Sequence, residues 1–367
     1  MTLRESLAQQ NPTAPRGRFP SLAWSWPTGA RDLLLRAAIL PDLHEAAAAY
    51  DEWQSTVEFE SATMAEQRLL VAISYRMPEG ILPAKDRARL TGVERKLWTL
   101  SRVALRESEP AFAALAAAGI EVMVLKGAGK AVMDLTDLRG RYASDVDVLV
   151  RPQDYERAVD VLLAAGWNYL TGAPHRVSET AGLNLMRGKH GQVDIHQYPH
   201  HQLTGSDYRP DALWARASRH PFLGYTVALP SATDRLLIAL AHGGISGHAN
   251  SDWLVDAAQL IQGGDVDWDL FEALCRERRV EGLAAIGLAY LGGPLKVPVP
   301  KGVAQRLEAR ARRRPVQFAA SLLEARPKRE YSTPLALTRT VAKVSRMIGT
   351  GIRLKRLRRL VERTQQR

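Results

Sequence analysis

The chain has 367 residues, 46% of them hydrophobic and 24% charged, the balance of a folded globular protein and not of a disordered or membrane-spanning one. Its one cysteine, Cys275, excludes an intramolecular disulfide framework and a thiolate zinc site, and fits a reducing cytoplasm. The net charge of +11 is unevenly spread: residues 301–367 hold 19 Lys/Arg against 4 Asp/Glu, a net +15, which leaves −4 for the rest.

Residues 1–29 are rich in Pro, Ser, Gly and Arg without periodicity and read as a poorly ordered lead-in. The N-terminus lacks the apolar run of a signal peptide, and no segment is long and apolar enough for a membrane span, so a cytoplasmic location is expected. Over residues 30–119 apolar residues recur at helical spacing (Leu33, Leu34, Ala37, Ala38; Leu97, Leu100, Val103, Ala104), which predicts several packed helices. The texture changes at Ile120. Glu121-Val122-Met123-Val124-Leu125 reads as a short buried strand ending at Lys126-Gly127, followed by a helix over residues 128–135.

Residues 145–150 predict a second strand, with Asp145, Asp147 and Leu149 on one face and Val146, Val148 and Val150 on the other. Residues 153–165 are periodic as a helix and stop at Gly166. Residues 182–186 and 192–197 flank a glycine-containing turn and read as a hairpin, with Asp194 in its second strand. Residues 120–230 thus form a core of strands and helices, residues 231–300 a further helical region, and residues 301–367 a basic helical tail.

Two aspartates one residue apart on a strand repel each other when buried unless a cation compensates. A divalent metal supplies that cation. Oxygen ligands suit Mg²⁺, and Asp194 as a third acid would allow a two-metal arrangement. Upstream, Lys126-Gly127-Ala128-Gly129-Lys130 places glycines at a strand-to-helix junction, where backbone N–H groups can approach a phosphate. Lys126 would add a point charge there, or be a solvated strand-end residue. Arg139 and Arg141 could clamp phosphates or pair structurally with acids. His196 shares the face of Asp194 and could touch substrate, brace a carboxylate or be a hydrogen-bonded core histidine.

The order Leu125-Lys126-Gly127, Arg141, Asp145-Val146-Asp147-Val148-Leu149-Val150 and Val193-Asp194-Ile195-His196 resembles the uncharacterised nucleotidyltransferase family of the DNA polymerase β-like superfamily. Leu229-Pro230, Ala241-His242, Trp253-Leu254 and Asp256 are similar to its helical segment, so the likeness spans roughly residues 30–291. It implies an α+β fold: a small mixed sheet with packed helices, flanked by N-terminal and C-terminal helical regions, with residues 120–230 as the catalytic core and residues 231–300 completing its substrate cleft. It implies Asp145, Asp147 and Asp194 as catalytic metal ligands, with Mg²⁺ or Mn²⁺ as cofactor. Lys126, Gly127, Arg141 and His196 would be the substrate-binding residues, and an NTP the donor. The sequence departs from the superfamily pattern in Ala128, where a serine is usual, and in a long gap from Gly127 to Asp145; both bear on the triphosphate pose and neither on metal binding.

The expected activity is transfer of a nucleoside monophosphate from an NTP to a hydroxyl-type acceptor that the sequence does not name. The alternative is a catalytically degenerate module that binds nucleotide or RNA and serves as a regulatory or assembly partner. His190, His196, His200 and His201 crowd together without an HExxH pattern, which argues against zinc. His242, Trp253 and Asp256 fit helix packing as well as a cleft. The tail segment Lys355-Arg356-Leu357-Arg358-Arg359-Leu360-Val361 can form a cationic amphipathic helix for nonspecific anion or nucleic-acid contact, for lipid, or for packing on an acidic body.

Overall fold

The computed structural model describes residues 17–133, 140–199 and 210–327. Four helices open it: α1 (Ala30–Ile39), α2 (Leu43–Thr56), α3 (Met64–Arg76) and α4 (Ala84–Ala117). Local chemistry sets their starts. Asp42 accepts the N–H groups of His44 and Glu45 ahead of α2, and Thr63 and Glu66 close a reciprocal capping box on α3.

The middle of the chain builds one sheet. Its elements are β1 (Met123–Val124), α5 (Lys126–Met133), β2 (Val146–Leu149), α6 (Tyr155–Ala164), β3 (Asn168–Tyr169), β4 (Gly182–Arg187), β5 (Gly191–His196), α7 (Pro210–Ala215), β6 (Ser218–Phe222) and β7 (Tyr225–Leu229). The strand order is β3-β4-β5-β2-β1-β7-β6. β2 runs parallel to β5 and β1 parallel to β7, while the other pairs are antiparallel, so the sheet is mixed. Six helices follow: α8 (Ala232–Ile245), α9 (Asp252–Gln262), α10 (Trp268–Glu277), α11 (Glu281–Gly292), α12 (Val303–Arg312) and α13 (Pro315–Ala325). This is the α+β architecture that the sequence predicts.

Helices from before and after the sheet share one core, in which Leu34, Tyr50, Trp53 and Leu70 pack with Leu240, Leu254, Phe271 and Leu288. A second core lies under the sheet, where Val124, Val146, Val148, Val193 and Ile195 meet Leu105, Phe112 and Leu115 of α4. The 34-residue α4 therefore joins the two, placing Leu90 in the first core and its C-terminal half in the second. That link holds the helical layer over one face of the sheet.

Several expectations need adjustment. Residues 17–29 are packed: Leu22 and Ser25 are buried, Ser25 Oγ donates to the Leu322 carbonyl at 2.8 Å, and Trp26 Nε1 donates to that of Ile286. The tryptophans outweigh the local Pro and Gly content. The strand before Lys126 is only two residues long, and the helix after it starts at Lys126 itself, whose φ of 50° is left-handed. β6 is an edge strand with Arg219, His220 and Pro221, and its lack of apolar alternation hides it in the sequence. Gly166, at φ 86°, ends α6 as expected.

Among the described residues no helix is long and apolar enough to cross a membrane. The described part of the tail packs on acidic partners, with Arg306 and Arg310 on Glu272 and Arg314 near Glu281. The amphipathic segment around residues 355–361, like His200, His201 and Arg139, lies outside the described residues.

Candidate metal centre and substrate cavity

The register of β2 on β5 pairs Asp147 with Asp194 and Leu149 with His196. Because strand side chains alternate, Val146, Val148, Val193 and Ile195 go down into the core while Asp147, Asp194 and His196 go up together. His196 Nε2 sits 3.2 Å from Asp147 Oδ1 and 3.1 Å from Asp194 Oδ2. One ligand atom from each of the three lies within 4.8 Å of those of the others. Asp145 lies one residue ahead of β2, in the bend that leads into it, and is not one of these three.

Lys126 Nζ donates to Asp147 Oδ1 at 2.5 Å from the start of α5. Burial alone would raise the Asp147 carboxyl, but Lys126 and His196 outweigh it and hold it well below the usual carboxylate range. For Asp145 the Lys126 and Arg68 charges help too little. Burial and the neighbouring Asp147 charge push it up to about 6. For His196 burial works to lower the imidazole, yet the two carboxylates raise it.

Two residues that sequence reasoning missed shape this centre. With its amide turned so that nitrogen faces the carboxylate, Asn184 of β4 donates to both Asp194 oxygens, at 2.6 and 3.1 Å. Gly182 pairs with His196 across β4 and β5, and a Cβ there would stand 2.5 Å from His196 Nδ1, so glycine makes room for the ring. A glycine opening a strand was the available signal.

Arg141 is buried, and its hydrogen bonds go to groups other than Asp147 and Asp194. Its Nε donates to Asp256 at 2.9 and 3.1 Å, and its Nη1 pairs with Asp252 and with the Tyr142 carbonyl. Asp252 also takes Arg68 Nε at 2.6 Å, and Arg68 lies over the Tyr142 ring at 5.2 Å. Burial works to lower the Arg141 guanidinium, but its two aspartates hold it above the usual value. Asp252 and Asp256, four apart on α9, form a two-carboxylate cradle on one helix face. That spacing was legible in the sequence, whereas its partner was not. Gly127 lies against Arg141, where a Cβ would meet Nη2 at 3.3 Å.

These residues border a cavity of about 530 Å³ between the sheet face, α5 and the helices α8 and α9. Lys126, Gly127, Arg141, Asp145, Asp147 and Asp194 all line it. The volume is that of a small-molecule site. His196 is not among the lining residues and touches two of them, Asp147 and Asp194.

The donor set fits a hard divalent cation: two converging carboxylates on rigid strands, whose mutual repulsion is at present relieved by the Lys126 ammonium. Residues 53–293 match the family model described as an uncharacterised nucleotidyltransferase. No curated protein matches the chain.

Proposed function

This chain belongs to the uncharacterised nucleotidyltransferase family, and from that premise we propose that it moves a nucleoside monophosphate from an NTP to a hydroxyl-bearing acceptor. The observation that carries the reading is the in-register pairing of Asp147 with Asp194 at the floor of the cavity, with His196 between them. In the reaction the acceptor oxygen bonds to the α-phosphorus, the bond from that phosphorus to the bridging oxygen breaks, and pyrophosphate leaves. Little covalent chemistry is asked of the protein beyond positioning and charge neutralisation.

Asp147 and Asp194, with Asp145 at the edge, would hold Mg²⁺ or Mn²⁺. When bound, the metal offsets the negative charge of the transferring phosphoryl group. Asp194, oriented by Asn184 and His196, faces the acceptor and takes up its hydroxyl proton. Lys126, placed on Asp147 by its left-handed backbone, turns part of its charge to the phosphates. The first-turn N–H groups around Gly127 lie against the same cavity. Arg141 acts on substrate through geometry, fixing the cavity wall against α9.

Pyrophosphate release from each of the four NTPs, measured with Mg²⁺ and a panel of hydroxyl acceptors, tests the reading. The expected result is metal-dependent release that falls by about 10²- to 10³-fold in Asp147→Asn, the scale of losing a key charge-stabilising group. Release that survives this substitution at the wild-type rate would sink the assignment. Nucleotide binding without release would favour the degenerate binding module.

A further inference from the structure

The cavity wall carries five cations, and four of them are already engaged. Lys126 is on Asp147, Arg68 on Asp252, Arg141 on Asp252 and Asp256, and Lys130 reaches Gln259 Oε1 at 3.4 Å and lies over the Tyr75 ring. Arg235 of α8 differs. Its Nε is buried with no hydrogen-bond partner, and its Nη1 donates to Met133 Sδ at 3.0 Å, a weak acceptor. No carboxylate among the described residues comes within ion-pair distance of it; Asp256 and Asp265 act on it only from further away. Burial lowers its affinity for its own proton.

A half-buried guanidinium with an unfilled donor weakens a fold unless something completes it. An anion that enters the cavity would compensate this charge, and the planar Nη edge of the guanidinium matches two oxygens of a phosphate. We infer that Arg235 binds a phosphate group of the substrate inside the cavity. This deepens the nucleotidyl-transfer reading and rests on it for the source of the phosphate, which is either the triphosphate tail of the donor or a phosphate carried by the acceptor.

The test measures dissociation constants by calorimetry for ATP, AMP and inorganic phosphate, with Mg²⁺, on the wild type, Arg235→Gln and Arg235→Lys. If the donor's tail is bound, Arg235→Gln weakens ATP by about 10-fold or more, the scale of one charged bidentate contact, and leaves AMP within about twofold. If the acceptor's phosphate is bound, ATP is unchanged and inorganic phosphate added over saturating ATP loses affinity by a similar factor. Arg235→Lys recovers part of either loss, because it restores charge without the fork. In both cases unliganded Arg235→Gln melts no lower than the wild type, since an uncompensated cation has been removed. ATP and phosphate affinities that Arg235→Gln leaves unchanged, no anion binding by the wild type, or a melting temperature several degrees lower in both variants would overturn the inference. The phosphate arm needs no turnover, so a protein that binds phosphate through Arg235 yet never releases pyrophosphate would separate this site from the failure of the transfer reading.

Discussion

Arg141→Met removes the guanidinium that joins the loop ahead of β2 to α9. In the wild type Asp252 is 4% exposed and shared by Arg141 and Arg68, whereas Asp256, 22% exposed, takes Arg141 Nε. Breaking a buried ion pair from one side typically costs about 3–5 kcal/mol, because the remaining charge stays buried. Here Arg68 Nε remains on Asp252 at 2.6 Å, so the expected loss sits near the low end, about 3 kcal/mol. That is a large part of the roughly 5–15 kcal/mol available to a typical domain. Urea unfolding reads it as a lower midpoint at an unchanged m-value. Since Arg141 is buried, raising the salt to about 0.5 M should leave the difference in place, and Arg141→Met with Asp252→Asn should cost less than the sum of the two. A loss under about 1 kcal/mol, or one abolished by salt, would place Arg141 with ordinary surface pairs and refute its role as the tie between sheet and helices.

Three further outcomes follow from the same geometry. Gly182→Ala puts a methyl 2.5 Å from His196 Nδ1 and must displace the ring from Asp147 and Asp194; Mn²⁺ affinity, read by electron paramagnetic resonance, should fall about 10- to 100-fold, and unchanged binding would remove His196 from the centre. His248 is buried, and burial with the nearby Arg31 takes its imidazole down to about 3. The unfolded chain therefore binds a proton near pH 6.5 that the native state refuses, so this contribution is intact above pH 6.5 and is lost as pH falls from there toward 3, at up to about 1.4 kcal/mol per unit. His248→Asn, which suits the left-handed φ of 54°, should flatten the acid limb of a stability–pH curve; identical slopes would contradict the assignment. Gly127→Ala crowds Arg141 Nη2 at 3.3 Å and should weaken ATP binding while lowering the unfolding midpoint only slightly; the reverse pattern would make Gly127 a packing residue alone.

The acidic strand was legible because alternation along Asp145-Val146-Asp147-Val148 is a local signal, and a buried like-charge pair is a physical anomaly that asks for a cation. The hairpin carrying Asp194 was legible from its turn glycines. What makes the centre, however, is register: only the parallel pairing of β2 and β5 sets Asp147 beside Asp194, and pairing is decided by the whole sheet. The same holds for Arg141, for which sequence left phosphate contact and structural pairing open. Its partners Asp252 and Asp256 lie more than a hundred residues away on α9. Arg235 gave no sign, because an unfilled donor is a property of surroundings and not of residue type. Residues 17–29 misled in the other direction, their Pro and Gly content masking Trp24 and Trp26, which fold back on the C-terminal helices.

Transfer of the α-phosphoryl group of an NTP at Asp147 and Asp194 leaves a label that can be followed. Incubating the protein with a lysate of its host, Mg²⁺ and NTP labelled at either the α- or the γ-phosphate tests it most directly. The expected result is an acceptor that gains α-label only, and none with Asp147→Asn. Transfer of γ-label, or α-label transfer that survives Asp147→Asn, would contradict it.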